Sequence, residues 1–201
     1  MSCPANKSLQ VRSALILSTL AVALLCGCSG TTRILQEKLD PETAVTITRS
    51  RTPLVFYGDR SYRAAYARDF VYLGPIEVNR MGRYRYYLWL GIWSTLPGVL
   101  QADQRLGFDS VTLVADGEPL PLELAGWTED AIGASTPAYT KPVASATDAF
   151  YEVTIDQIRL ISEAHDLRLL TSGSRASSFE LWNGQQSAFA GLRDFLQHAA
   201  Y

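Results

Sequence analysis

Alternating apolar and polar positions dominate the middle of the chain and predict β-strands. Within residues 44–49 the pattern places Val45 and Ile47 on one face and two threonines on the other, because side chains alternate between the faces of a strand. Eight further segments rich in β-branched and aromatic residues continue this pattern. They are residues 54–57, 70–78, 84–93, 111–115, 120–124, 150–153, 167–170 and 179–182.

Short loops between these segments predict β-hairpins. Asp116 and Gly117 separate residues 111–115 from residues 120–124, and both residue types tolerate the positive φ that a tight two-residue turn requires. The loop at residues 79–82 joins two longer segments in the same way. Such short connections favour an antiparallel arrangement of consecutive strands.

Two helices are predicted in the last third of the chain. Thr154 and Gln157 have the spacing of a capping box and precede apolar positions three residues apart. Asn183 is expected to cap a second helix, since asparagine is a favoured N-cap residue. The apolar positions of that helix are Phe189, Leu192, Phe195, Leu196 and Ala199. The predicted fold class is α+β: a mostly antiparallel β-sheet or sandwich with two helices in the C-terminal third.

The N-terminal segment has a different pattern, which predicts export. Lys7 and Arg12 precede an uncharged run of 13 residues, 13–25. A secretory signal has a basic start and an apolar run of about 7–15 residues. A membrane-spanning helix needs about 20, and polar residues follow this run at once.

Residues 25–28, Leu-Cys-Gly-Cys, resemble the lipobox of bacterial lipoproteins. The resemblance implies cleavage after Gly27 and a diacylglycerol on Cys28, and two or more acyl chains give a firm membrane anchor. Ser29 in place of an aspartate implies sorting to the outer membrane in Gram-negative bacteria. The alternative is an ordinary secreted protein cut near Gly27 or Gly30. In general style only, the mature segment resembles proteobacterial lipoproteins to which no activity is assigned.

The resemblance implies a signal peptide at 1–27 and a lipidated cysteine at 28. Together with the polar and strand patterns that follow, it gives a lipidated cysteine and tether at 28–42 and a single β-rich α+β domain at 43–201. The tether is polar, with a short helix expected around residues 34–39, and fully extended it spans at most about 50 Å. The protein is expected to be lipid-anchored in the outer membrane and to face the periplasm. Residues 127–147, rich in Ala, Thr, Pro and Ser, are expected to be the most flexible loop.

Composition narrows the function classes. All three cysteines lie at or before position 28, so no disulfide, thiol nucleophile or cysteine metal site is expected in the folded part. Without Lys7 and Arg12 the chain carries 16 basic and 20 acidic residues, a net charge of −4. Nucleic-acid binding is therefore not expected, since it requires a strongly basic domain. The charge is uneven, at +4 for residues 33–85, which fits either anionic lipid head groups or arginines on solvent-facing strand positions.

The densest group of aromatic residues lies at positions 57–93, which hold seven of the ten tyrosines. On a strand over residues 83–93, one face would carry core residues and the other arginines with large rings. Arginine and aromatic side chains suit a protein interface or a sugar-binding surface, although a covered central strand has the same composition. The candidate binding ledge consists of Arg83, Arg85, Tyr87, Trp89 and Trp93.

Enzyme motifs are nearly absent from the sequence. Its two histidines, His165 and His198, lie at predicted helix ends, and no nucleophile elbow, phosphate loop or metal-spaced histidine pair occurs. We predict no catalytic residue, metal or cofactor, and interpret the chain as a membrane-anchored binding or assembly-accessory module for an envelope protein or glycan. The alternative is an envelope hydrolase using a carboxylate pair. Its candidate carboxylates are Asp148, Glu152 and Asp156.

Overall fold

The computed structural model describes residues 34–59, 65–96, 104–173 and 176–199. The lipobox and Cys28 lie outside these residues, so the predicted anchor stays a prediction. Among the described residues there is no helix of sufficient length and apolar character to cross a membrane.

The described residues form ten strands in one antiparallel sheet. Eight of the strands close into a barrel in the order β4-β3-β10-β9-β6-β7-β8-β5, with β5 pairing back to β4, while β1 and β2 extend the sheet beside β4. The predicted antiparallel sheet with two C-terminal helices is confirmed, and the closed barrel is a more specific arrangement than the predicted sheet or sandwich. The strands are β1 (Leu35–Asp40), β2 (Val45–Ser50), β3 (Leu54–Asp59), β4 (Arg68–Arg80), β5 (Arg83–Ser94), β6 (Ser110–Ala115), β7 (Glu118–Gly126), β8 (Thr147–Val153), β9 (Leu167–Thr171) and β10 (Ser178–Leu181).

Apolar side chains from alternate strand positions fill the barrel. Leu54, Leu73, Leu90 and Ala149 are register partners on β3, β4, β5 and β8, and all four are buried. An eight-stranded barrel has an interior just wide enough for side chains to fill. Two helices, α1 (Ile155–Glu163) and α2 (Gln186–Ala199), contribute further residues to the same core. These are Ile158, Ile161, Ala188, Leu192 and Phe195.

Strand β4 changes partner along one edge. Residues 68–73 pair with β3 and residues 76–79 pair with β2, so Gly74 and Pro75 have no partner on that side. Proline lacks an N–H and is tolerated in a sheet where no ladder bond is needed. The gap admits Tyr139, whose hydroxyl donates to the Pro75 carbonyl at 3.0 Å. A Cβ at position 74 would lie 2.4 Å from the Tyr139 ring.

Local signals predicted the tight hairpin and the start of α1. Asp116 and Gly117 have φ of 49° and 89° and join β6 to β7, which confirms the hairpin. The Thr154 hydroxyl accepts from the Gln157 N–H, and the Gln157 side chain accepts from the Thr154 N–H, which confirms the capping box.

The predicted cap of α2 is wrong. The helix begins at Gln186, three residues after Asn183. The Gln185 side chain instead pairs with Val55 of β3: its Oε1 accepts from the Val55 N–H and its Nε2 donates to the Val55 carbonyl, each at 2.6 Å. Gln185 thus bonds to the N–H and the C=O of Val55 as a residue of a paired strand would, and the helix begins directly after it.

The predicted tether is also wrong in its second half, because residues 35–40 form strand β1 rather than a helix or linker. All six residues pair with β2. As the outermost strand of the extension, β1 is exposed at four of its six positions, so it lacks the apolar alternation that identifies a half-buried strand. The folded domain therefore includes residues before position 43.

Residues 128–146, here termed the cover segment, are packed rather than loose. They begin with a 3-10 turn at Glu129–Ile132 and lie on the outer face of the barrel. This contradicts the flexible loop predicted at 127–147, because four apolar side chains of the segment are buried against β2, β4, β5 and β8. These side chains are Ile132, Ala134, Ala138 and Tyr139.

Candidate functional site

The five residues of the predicted binding ledge do not form one exposed surface. Tyr87 and Trp89 are each only 2% exposed, because the cover segment lies over them. Arg83 and Arg85 are exposed near the tip of the β4–β5 hairpin. Trp93, at the far end of β5, is partly buried and belongs to another group of rings.

Trp89 is the centre of the covered group. Its ring stacks on Tyr139 with 4.5 Å between centroids and 11° between planes. Its Nε1 donates to Asp148 at 2.9 Å, and Lys141 of the cover segment pairs with the same carboxylate at 2.8 Å. Gly91 makes room for the indole, since a Cβ there would lie 2.6 Å from it. Asp148 therefore serves the packing of the cover segment.

The other two carboxylates of the hydrolase alternative lie on the surface. Glu152 is exposed four positions along β8 from Asp148, a Cα separation of about 13 Å at the rise of a strand. Hydrolytic carboxylate pairs lie within about 5–9.5 Å of each other. Asp156 is exposed in the first turn of α1 and pairs with Arg159.

Asp40 fastens the cover segment to the end of β1. Its carboxylate accepts from the Ser135 hydroxyl at 2.7 Å, from the Ser135 N–H at 2.6 Å and from the Thr136 N–H at 3.1 Å. It also accepts from the Glu42 N–H at 3.1 Å. These bonds, the Ser135 hydroxyl first, hold the pKa of Asp40 well below its usual value.

A second group of rings, here termed the aromatic patch, lies on the outer face of the barrel away from the cover segment. It consists of Tyr57, Phe70, Trp93 and Trp182. Tyr57, Phe70 and Trp93 are register partners across β3, β4 and β5, so their side chains share one face. Phe70 stacks on Trp93 at 4.8 Å, and Tyr57 meets Trp182 edge-on at 5.3 Å. The Arg68 guanidinium lies 5.4 Å from the Tyr57 ring and 5.6 Å from Trp182.

The aromatic patch has features that do not favour stability. Trp182 is 41% exposed. The Nε1 of Trp93 is buried and finds no hydrogen-bond acceptor among the described residues, which typically costs about 1–3 kcal/mol. Exposed large rings and buried polar atoms without partners destabilise a fold, and proteins tolerate such features mainly at functional sites. The aromatic patch is therefore a candidate site.

A groove of about 880 Å³ adjoins the patch. It lies between the end of α1, the start of β9, strand β10 and the loop that leads into α2. Trp182 belongs to both the patch and the groove. The lining carries side chains of both charges together with amides: Glu163, Asp166, Arg168, Glu180, Asn183, Gln186 and Arg193.

Hydrogen bonds fix the wall of the groove that carries Trp182. The Trp182 N–H donates to the Val55 carbonyl at 2.8 Å, and Gln185 Nε2 donates to the Trp182 carbonyl at 2.8 Å. On the adjoining strand the Tyr57 hydroxyl donates to Glu180 at 3.1 Å. These bonds fix the backbone at Trp182, while the edge of the Tyr57 ring and the Arg68 guanidinium contact the indole itself. A side chain positioned before a ligand arrives lowers the entropic cost of binding.

A buried carboxylate lies where α2 meets the sheet. Glu77 of β4 is 3% exposed, and its Oε1 lies 3.5 Å from His198 Nε2 near the end of α2. Burial raises the pKa of Glu77, against the opposing effects of His198 and Tyr86. A perturbed carboxylate beside a histidine is a candidate acid or base, but this one is covered by protein and ties α2 to β4.

Sequence reasoning missed Tyr57, Phe70 and Trp182, although it identified Trp93. Each lies in or beside a predicted strand. Pairing β3 with β4 in antiparallel register places Tyr57 opposite Phe70, a relation that the alternation pattern contains. Trp182 joins them only because β10 pairs with β3, more than 120 residues away, for which the sequence carries no local signal.

No protein-family model, curated protein or solved structure matches this chain. The geometry and chemistry of the patch and groove are therefore what indicate a function.

Proposed function

We propose that this protein is a lipid-anchored, non-catalytic binding module of the cell envelope that holds a glycan in the groove beside Trp182. The observation that carries the proposal is a half-exposed indole, fixed at the edge of a groove lined with amides and charges of both signs. A sugar ring has an apolar C–H face that packs on an aromatic ring. Its hydroxyls bond to polar side chains that set its orientation.

The shape of the site favours a glycan over a folded protein. The groove, at about 880 Å³, lies within the roughly 300–1,000 Å³ of pockets that take small ligands. A protein partner usually needs about 800 Å² of buried surface on each side. The mixture of Glu163, Asp166 and Glu180 with Arg168 and Arg193 suits a neutral or mixed-charge polymer better than a strongly anionic one.

The proposed lipid anchor determines the cellular location of the module. The lipobox resemblance at residues 25–28 supports a lipid on Cys28 and an outer-membrane location facing the periplasm. Strand β1 begins seven residues after Cys28, a length of chain that spans at most about 25 Å. A fatty-acid label should enter the wild-type protein and not Cys28→Ala, and a labelled or membrane-bound Cys28→Ala protein would contradict the anchor.

Binding is tested with peptidoglycan sacculi, the envelope glycan that sediments easily. The purified full chain in detergent should sediment with sacculi, and Trp182→Ala should weaken binding about tenfold, the equivalent of about 1.4 kcal/mol. Tyr84→Ala is the matched control, because Tyr84 is 54% exposed and lies nine positions along β5 from Trp93. Its binding should equal that of the wild-type protein.

Other outcomes separate the alternatives. Equal loss in Trp182→Ala and Tyr84→Ala, or no sedimentation at all, would contradict a glycan site at the groove. Cross-linking of one envelope protein to the wild-type chain but not to Trp182→Ala would identify the patch as a protein interface. Release of reducing ends from sacculi, abolished by Glu180→Gln, would favour a hydrolase that uses a carboxylate of the groove rather than the predicted Asp148, Glu152 and Asp156.

A further inference from the structure

A second pocket, of about 380 Å³, lies between β1, β2 and the cover segment and shares no lining residue with the groove. Three cationic side chains surround it: Lys38 on β1, Arg49 on β2 and Lys141 on the cover segment. Its lining also includes apolar parts of Ile47 and Tyr139. The pocket thus combines apolar contact surface with positive charge.

Strand alternation collects these cations on one side of the sheet. Lys38 pairs with Ile47, and Gln36 pairs with Arg49, so all four side chains face the cover segment. Glu37 lies between Gln36 and Lys38 in sequence and faces the opposite side, where its charge acts on Glu77. No carboxylate belongs to the described lining of the pocket.

Arg49 is a partly buried cation without a carboxylate partner in the described part of the chain. It donates to Gln36 Oε1 at 2.6 Å and to the Ser50 carbonyl at 3.2 Å, and its guanidinium lies 4.6 Å from the Tyr139 ring. Burial lowers the pKa of Arg49, the neighbouring Tyr139 hydroxyl partly offsets this by raising it, and the like charge of Arg51 lowers it further. Burying a guanidinium without a negatively charged partner costs free energy, and a bound anion would reduce that cost.

Donor capacity remains at the pocket after the internal bonds are made. Lys38 donates to Thr136 Oγ1 at 2.9 Å, and an ammonium group has three donors. The guanidinium of Arg49 has five N–H donors. One donates to Gln36, one to the Ser50 carbonyl, and the group also interacts with the Tyr139 hydroxyl. Lys141 is balanced by Asp148 at 2.8 Å. Lys38 and Arg49 are therefore left with uncompensated charge and spare N–H groups.

We infer that this pocket is a binding site for the phosphate group of an organic phosphate ester. A phosphate carries about one to two negative charges and several acceptor oxygens, so it engages Lys38 and Arg49 together, and arginine is well suited to phosphate. The pocket exceeds the size of a phosphate alone, and its apolar surface at Ile47 and Tyr139 receives the organic part. The site does not depend on the proposed glycan groove. Two sources share this chemistry: an anionic phospholipid head group and a soluble phosphorylated compound.

The first test is thermal unfolding of the purified full chain in detergent, with inorganic phosphate compared with chloride at equal ionic strength. Phosphate should raise the Tm of the wild-type protein, since a ligand that binds only the folded state stabilises it. Arg49→Gln should weaken phosphate affinity about tenfold or more. Arg83→Gln is the control, because Arg83 is an exposed arginine outside this pocket. No stabilisation of the wild-type protein, or an equal loss in Arg83→Gln, would overturn the inference.

A second variant keeps the test decisive if Arg49→Gln does not fold. Lys38 is exposed and bonds to Thr136 through a single hydrogen bond, so Lys38→Gln is expected to retain the Tm of the wild-type protein without phosphate. Its phosphate affinity should fall several-fold. Unchanged affinity in Lys38→Gln would remove the pocket as the site.

Vesicles distinguish the two sources. The wild-type protein and Arg49→Gln are placed in phosphatidylcholine vesicles with and without phosphatidic acid, and soluble glycerol 3-phosphate is added in a parallel series. Stabilisation of the wild-type protein by phosphatidic acid, absent in Arg49→Gln, supports the lipid head group. Stabilisation by glycerol 3-phosphate alone supports a soluble ester. If neither phosphate ester discriminates between the two proteins, the inference fails.

Discussion

Two groups of aromatic side chains lie on the outer face of the same barrel, and they differ in what covers them. Around Trp89, a segment some 50 residues further along the chain supplies a stacking ring, Tyr139, and a lysine that holds Asp148 in place. Around Trp93, the rings leave Trp182 exposed and the Trp93 N–H without an acceptor in the described residues. Both tryptophans belong to β5, so the strand sequence does not decide which becomes core. A distant segment does.

The comparison predicts very different costs for two tryptophan substitutions. Trp89→Ala should lower the free energy of unfolding by about 3–5 kcal/mol, as for other large buried aromatics. Trp182→Ala should lower it by about 1 kcal/mol or less, because surface side chains contribute little. Urea unfolding of both variants measures the difference. Equal costs would show that the aromatic patch is part of the core.

A smaller effect is expected from filling the gap in β4. Gly74→Ala places a Cβ 2.4 Å from the Tyr139 ring, so the ring must shift from its stacked position on Trp89, at a cost of about 1–3 kcal/mol. Gly82→Ala is the control, since Gly82 has φ of 82° and no atom within 4 Å of an added Cβ. It should cost about 1 kcal/mol through backbone strain alone. Near-ultraviolet circular dichroism should change in Gly74→Ala only.

The most local effect is expected at the attachment of the cover segment. Asp40→Asn removes the charge that accepts from Ser135 and Thr136, so the amides of residues 133–139 should exchange faster with solvent while those of β3 and β10 keep their protection. Unchanged exchange at 133–139 would show that apolar packing alone holds the segment.

The same carboxylate predicts a pH dependence. Because the pKa of Asp40 is lowered in the folded state, its stabilising effect is complete above its unfolded pKa of about 3.9 and is lost as the pH falls below that value. The wild-type protein should therefore lose more stability than Asp40→Asn between about pH 5 and pH 2. Parallel stability curves for the two proteins over this range would contradict the assignment.

Short-range signals predicted much of the fold. The Asp116-Gly117 turn and the Thr154 capping box are set by a few neighbouring residues, and the structure confirms both. Strands that are half-buried show apolar alternation and were found. Strand β1 was not, because an exposed outer strand has no reason to carry alternating apolar residues.

Long-range packing set the limit of prediction. The cover segment has the small and polar composition of a loop, and only its fit against Trp89 and Tyr87 makes it part of the core. The candidate site depends on the same kind of contact, since Trp182 reaches Tyr57 through the pairing of β10 with β3. Neither the packing of the cover segment on Trp89 nor the contact between Trp182 and Tyr57 can be predicted from a short stretch of sequence.

The pairing of β10 with β3 also constrains the order in which the protein can fold. Strand β3 pairs with Ser178–Leu181, more than 115 residues later in the chain, so the barrel cannot close until that strand is present. Contacts between residues so distant in sequence form slowly. A chain emerging from a ribosome would keep the edge of β3 unpaired until residues 178–181 arrive, and an unpaired strand edge is prone to aggregation, which is the hazard that chaperones counter.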